Sequence, residues 1–149
     1  MARVDKDRLV GSWRLERWAT VYPDGSITEP LGPGAQGLLL YAADGWMSAC
    51  IMSADRPGLS RANPRNAPAG ERAAAFDGYF SYAGRWSVRG DRVRHDVTVS
   101  LNPAMTGTLQ WRDAQLAART LTLSAREAAG GGSRLHELTW RRCAKGRKS

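Results

Sequence analysis

The chain holds two histidines, His95 and His136, and both stand in runs where apolar and polar residues alternate. From Arg92 to Leu101, Val93, His95, Val97 and Val99 share one face, opposite Arg94, Asp96 and Thr98. From Arg134 to Arg142, His136 falls with Leu138 and Trp140. Successive side chains of a strand point to opposite faces, so both imidazoles are expected to face inward with the apolar set. An interior imidazole can act as general acid or base near neutral pH. The competing reading is structural: an imidazole that hydrogen-bonds a tyrosine or the backbone and only shapes the core. That reading suits His136 best, because it lies beside the Gly130-Gly131-Gly132 turn.

In the preceding run, Phe80, Tyr82, Trp86 and Val88 share a face opposite Arg85 and Arg89. Tyr82 and His95 are therefore the expected proton-transfer or hydrogen-bonding pair, with Arg112 polarising a carbonyl. Gln110 and Arg112 lie on one face of their run, and Leu109 and Trp111 on the other. If Trp111 faces inward, the polar pair is solvated surface. If the polar pair faces inward, Arg112 offers a fixed fork of donors to a carboxylate or enolate oxygen. It then needs an acidic partner or a ligand, because an unpaired buried charge is costly. A bulge near Asn102-Pro103 would change this parity.

Tyr41, Met47, Met52, Trp86 and Met105 supply aromatic and adaptable surface suited to a flat, apolar or polycyclic ligand with a few oxygens. Asn102, Gln110 and His136 complete the expected ligand-binding set. A core packed solid with the same residues would read identically. No Ser-His-Asp order, phosphate-cradling glycine loop or paired-carboxylate spacing is present. A zinc site lacks a third His or Cys at ligand spacing, and nothing singles out an axial haem ligand. Neither metal nor cofactor is expected.

These residues need a frame of short strands. Leu9-Val10-Gly11-Ser12-Trp13-Arg14-Leu15 opens it: Gly11 permits a tight turn into the strand, and Trp13 can plug one end of a small barrel. The first strand is expected from about Leu9 to Tyr22, its odd positions apolar except Arg17. Pro23-Asp24-Gly25-Ser26 is a turn, with Ser26–Thr28 a brief strand beyond it. Strands follow over 37–41 and 46–52, joined by the Asp44-Gly45 hairpin turn. The Pro-rich stretch 54–69 reads as a long loop, a candidate lid. Ala69–Asp77 is the one convincing helix. Further strands are expected over 80–89, 92–101, 107–115, 119–126 and 134–142. Nearly every connection is short, which favours an all-β, up-and-down antiparallel barrel of eight or nine strands with one short helix inserted midway. Eight strands enclose room for one small ligand.

The net charge of +8 is uneven. Arg141, Arg142, Lys145, Arg147 and Lys148 crowd the end, and without them 17 basic residues face 14 acidic ones. The excess is a basic tail, giving at most weak, salt-sensitive attraction to polyanions. No specific nucleic-acid partner is expected. No apolar run reaches the ~20 residues that span a bilayer, and no membrane partner is expected. Met1–Arg8 is charged with no apolar stretch behind it, so no signal peptide is expected and the cytoplasm is the expected compartment. Cys50 and Cys143 suit that compartment as free thiols. The expected layout is an N-terminal extension over 1–8, a barrel over 9–142 and a tail over 143–149. Oligomeric state is open, a homodimer being one option.

An ordered set of short motifs spans the frame. Gly11-x-Trp13-Arg14-Leu15 leads to Pro30-Leu31-Gly32, Gly37-x-Leu39-x-Tyr41 and Asp44-Gly45-x-Met47-Ser48. Phe76-Asp77-Gly78-Tyr79, Ser100-Leu101-Asn102-Pro103, Gln110-x-Arg112 and His136-x-Leu138-x-Trp140 follow. Together they resemble the lipocalin-like domain family of small stand-alone bacterial and fungal proteins, from Leu9 to about Arg142. The resemblance implies a β-barrel with a central cavity, and Arg141 or Arg142 stacked on Trp13 as architecture. It does not imply one reaction. Relatives lie beside secondary-metabolite pathways, where similar barrels act as cyclases or isomerases on polyketide-like substrates. Two functions are therefore expected to compete. One is a cofactor-free cyclase, isomerase or dehydratase acting on a polyketide- or terpenoid-like intermediate. The other is a non-catalytic carrier or store for a hydrophobic ligand. A packed barrel acting through its surface or tail is the third option.

Overall fold

The computed structural model describes residues 3–145. Among them, eight strands form a closed antiparallel barrel and a ninth is appended to it. The order is β1 (Gly11–Val21), β2 (Ile27–Thr28), β3 (Gln36–Tyr41), β4 (Trp46–Met52), β5 (Tyr79–Arg89), β6 (Arg92–Ser100), β7 (Leu109–Ala117), β8 (Thr120–Ala129) and β9 (Gly132–Arg142). Each strand from β3 to β9 pairs with the next, and β1 closes the ring by pairing with both β3 and β9. The two-residue β2 only extends the edge of β1 through Thr20–Thr28 and Val21–Ile27. Closure leaves no long strand edge free among the described residues.

The core sits inside the ring, built from the inward-facing alternate residues of every barrel strand. One end is sealed by a helix that the periodicity did not announce, α1 (Lys6–Leu9), capped by the Asp5 side chain. Leu9 is fully buried, and the Trp13 indole N–H donates to its carbonyl at 2.9 Å. The Arg142 guanidinium lies 4.2 Å from the Trp13 ring and donates to the carbonyls of Val10 and Arg8. Of the two arginines that the resemblance offered, Arg142 makes the stack, while Arg141 pairs with Glu16 outside. Gly11, at φ +131°, is the hinge into β1, and a Cβ there would stand 2.7 Å from the Arg142 guanidinium.

Two bulges reset which residues face inward. In β1 the register slips between Leu15 and Arg17, leaving Glu16 as the extra residue. Beyond it Trp18 and Thr20 turn inward, and Arg17 pairs outside with Glu29 at 2.9 Å. Arg17, the exception on the expected odd-numbered face, therefore marks a change of parity. The second slip falls between Ala83 and Gly84, opposite Thr98. It puts Val99, expected inside with His95, on the outer face at 61% exposure. Gly84 marks the crossing: a Cβ there would meet the Asp96 carbonyl at 1.8 Å.

Between β4 and β5 runs the segment 53–78, with a short 3-10 turn and then α2 (Ala69–Asp77). Arg56 donates to the Ala75 carbonyl and Ser60 to Glu71, tying the expected lid loop to the helix. The antiparallel order brings this segment to the end of the barrel opposite α1. Cys50 and Cys143 are both free thiols. No helix among the described residues is long and apolar enough to cross a membrane. Of the basic tail, residues 146–149 lie outside the described ones.

Candidate functional site

Above the sealed end the barrel interior is hollow. A cavity of about 440 Å³ reaches from His95 to the β8–β9 hairpin, within the size range of small-molecule sites. Its apolar wall includes Leu39, Ile51, Phe80, Leu123 and Leu138. Phe80 sits between Trp18 and Tyr82 in edge-on aromatic contacts at 5.3 and 5.6 Å.

His95 is fully buried and held at both nitrogens. Tyr41 Oη lies 2.6 Å from Nε2, and Tyr82 Oη lies 2.6 Å from Nδ1. Burial first, and then the Arg112 charge, push the imidazole pKa down to about 3. The ring is therefore neutral at ordinary pH, with one N–H and one lone pair. The hydrogen-bond network assigns them. Tyr41 is buried with His95 as the one partner of its hydroxyl among the described residues, so its proton goes to Nε2. The alternative strands that proton in the core at a cost of about 1–3 kcal/mol. Nδ1 then carries the hydrogen and donates to Tyr82 Oη. The Tyr82 proton is left over, on a residue that lines the cavity.

Arg112 stands beside it. Burial pushes the Tyr82 phenol up, while the charge of Arg112 and a hydrogen bond from it pull the other way. Arg112 Nη1 donates to the Trp111 carbonyl at 2.9 Å and lies 3.5 Å from Gln110 Oε1, and Gln110 Nε2 donates in turn to Thr108. Among the described residues no carboxylate lies within salt-bridge distance of Arg112. The parity left open by the sequence is settled: Gln110 and Arg112 line the cavity, and Leu109 and Trp111 face out. Trp111 looks like a core residue in sequence, but it is covered outside by Arg89, Arg92 and Arg94, each within 6.0 Å of its ring.

The other expected residues divide. Met105 and His136 line the cavity. Tyr41 lies behind His95, and Trp86 lies behind Tyr41 at 4.4 Å, its indole N–H given to the Ala42 carbonyl. Met47 is packed in the core near the sealed end and does not line the cavity. Two placements need correction. Met52 follows Met47 by an odd number of positions, so it takes the outer face of β4 at 37% exposure. Asn102 is exposed beyond the end of β6, its side chain accepting from the Ala104 N–H as a cap.

Sequence reasoning missed the cluster at the cavity mouth. Glu127 and Arg134 are cross-strand partners, and His136 lies one pair further along the same face. Glu127 Oε2 accepts from Arg134 Nε at 3.0 Å and from His136 Nε2 at 2.7 Å, which hold its carboxyl down to about 2. His136 Nδ1 is met by the Thr20 hydroxyl at 3.1 Å and the Trp18 indole N–H at 3.4 Å. The signal was the pairing of Glu127 with Arg134 across the glycine turn. It was hidden because β8 runs on to Ala129, past its expected end. Trp140 also lines the cavity, and its occluded indole nitrogen has no acceptor among the described residues.

A closed eight-stranded barrel, a tryptophan plug under a final-strand arginine and an open interior meet in one chain. A family model described as a lipocalin-like domain matches residues 10–143. The chain belongs to the lipocalin-like domain family. No curated protein matches it. The family's fold suggests small-molecule binding, and in this lipocalin-like barrel the candidate chamber is the one bounded by Tyr82, His95 and Arg112.

Proposed function

We propose that this lipocalin-like protein binds an apolar small molecule bearing a carbonyl-type oxygen, and that Tyr82 and Arg112 receive that oxygen. One observation carries the reading: the Tyr82 hydroxyl, bonded to His95 and by the network above left with its own proton, faces the cavity beside a guanidinium without a carboxylate, along a mainly apolar wall. Donors already in place where negative charge develops are worth more in a dry site than in water. Such a pair suits a cofactor-free isomerisation, cyclisation or dehydration of a polyketide- or terpenoid-like substrate, in which a carbonyl oxygen gains charge. Holding the substrate in a reactive conformation would add several kcal/mol or more. His95 in this reading is a positioning residue, since its neutral ring aims Tyr82 and gives up no proton of its own.

A second reading has an observation of its own. Both nitrogens of His95 are occupied and both of His136 face protein partners, so neither imidazole is free to take a proton from a bound molecule. A carrier needs only the donors and the apolar wall.

The test is to identify what co-purifies with the protein by native mass spectrometry, then return it to the wild type and to Tyr82→Phe. Conversion by the wild type, with turnover reduced about 100-fold and binding nearly kept in the variant, supports the enzyme. Recovery of the molecule unchanged supports the carrier. Failure to bind either that molecule or the neutral dye N-phenyl-1-naphthylamine would reject small-molecule binding altogether.

A further inference from the structure

The cavity has a charge imbalance that its own side chains do not resolve. Its cationic lining residues are Arg112 and Arg126, and its single carboxylate among the described residues is Glu127. Glu127 is already engaged by Arg134 and His136. Asp96, on the neighbouring strand, is held outside the barrel by two bonds from Arg94, at 2.6 and 3.0 Å. Neither Arg112 nor Arg126 has a carboxylate partner among the described residues. Arg126 is exposed to solvent, but Arg112 is partly withdrawn from it against an apolar wall, where a cation without a counterion is disfavoured, and the described residues provide no acid to relieve it.

We propose that the counterion is the ligand: an organic monoanion, a carboxylate or an acidic enol, with its charge on Arg112 and its apolar body along Leu39, Ile51, Phe80 and Leu138. The anionic head accepts from the guanidinium and from the Tyr82 O–H, the two donors not used up at that wall. Arg112 uses Nη1 on the Trp111 carbonyl and Gln110 Oε1 and another N–H on Tyr82, leaving the remaining N–H groups of its planar fork for the head group. The mouth is suited to the same sign of charge, because Arg126 stands there without a carboxylate partner while the exposed Glu127 carboxylate is already bonded to Arg134 and His136. This inference rests on the small-molecule reading above and adds the charge and orientation of what is bound.

The experiment is displacement of N-phenyl-1-naphthylamine, a neutral reporter of the apolar chamber, by four ten-carbon chains: decanoate, decanol, methyl decanoate and decylamine. Near neutral pH, decanoate is expected to bind at least about 10-fold tighter than decanol or the ester, with decylamine weakest. Arg112→Gln is expected to erase that preference while the dye still binds, and Arg112→Lys to restore part of it. Arg126→Gln is expected to keep it. Because Arg112 has no counterion, Arg112→Gln should melt no lower than the wild type. A large loss of Tm would show a structural role and count against the proposal. Equal affinity for acid, alcohol and ester overturns it, as does a preference that survives Arg112→Gln or disappears in Arg126→Gln. If the wild type binds neither dye nor any chain, the chamber reading fails and this inference with it. Binding of dye and decanol without preference for the acid defeats this inference alone.

Discussion

His95 illustrates how a single residue's role depends on its partners. An interior imidazole reads as an acid or base until its pKa falls to about 3 and two phenols take its nitrogens. The stability consequence has a definite sign. The unfolded histidine titrates near 6.5 and the folded one near 3, so the unfolded chain binds the extra proton between those values. Stability is full above about pH 6.5 and falls as pH drops toward 3, by up to about 1.4 kcal/mol per pH unit from this group. Urea unfolding between about pH 4 and pH 7 should show His95→Gln with a flatter dependence than the wild type. An unchanged slope would mean that His95 is not the proton-linked group. Tyr41→Phe keeps the stacking on Trp86 but leaves the Nε2 lone pair unmatched, at an expected cost of about 1–3 kcal/mol in the same assay. Tyr82→Phe leaves the Nδ1 hydrogen of His95 without its acceptor and should cost a similar amount, with ligand binding nearly kept.

At the scale of the strands, turn chemistry and alternation located nearly every element. Trp46–Met52 and Ala69–Asp77 fall where the sequence places them. Met52 was a plain slip of parity, but the other errors of facing came from the bulges. Glu16 and Thr98 each add one residue to a strand, and one residue exchanges its two faces. Val99 was misassigned for that reason, Trp18 and Thr20 were missed as interior residues, and Arg17, the exception on its expected face, was the one visible sign of the first slip. The crossing at Gly84 admits no side chain, so Gly84→Ala is expected to lower stability by about 1–3 kcal/mol or more in chemical denaturation. At the sealed end, Arg142→Ala removes a cation–π contact of about 0.5–2 kcal/mol together with two carbonyl bonds. Lysine lacks the planar fork that stacks and bonds at once, so Arg142→Lys should recover only part of the melting temperature.

At the scale of the whole molecule, ring closure keeps the centre open. The inward residues of eight strands could have met across the axis, and toward α1 they do, around Trp13 and Leu9. Further along they stand back from a chamber of about 440 Å³. A ligand bound there favours only the folded state. At a hundredfold excess over its Kd it should add about 2.7 kcal/mol of stability, read as a concentration-dependent rise in Tm. A melting temperature indifferent to any ligand that displaces the dye would place that binding outside the folded barrel. Strand number, the inserted helix and the tryptophan plug were legible from the sequence alone, because each is a local matter of period, turn residues and spacing. The sequence also nominated His95, Tyr82 and Arg112. Only the tertiary structure decided that Arg112 lines the cavity without a carboxylate partner among the described residues, that His95 is tied at both nitrogens and that Glu127 is bonded to both Arg134 and His136. Those facts depend on which distant strands become neighbours and on single-residue slips in their register, and neither leaves a periodic trace in the chain.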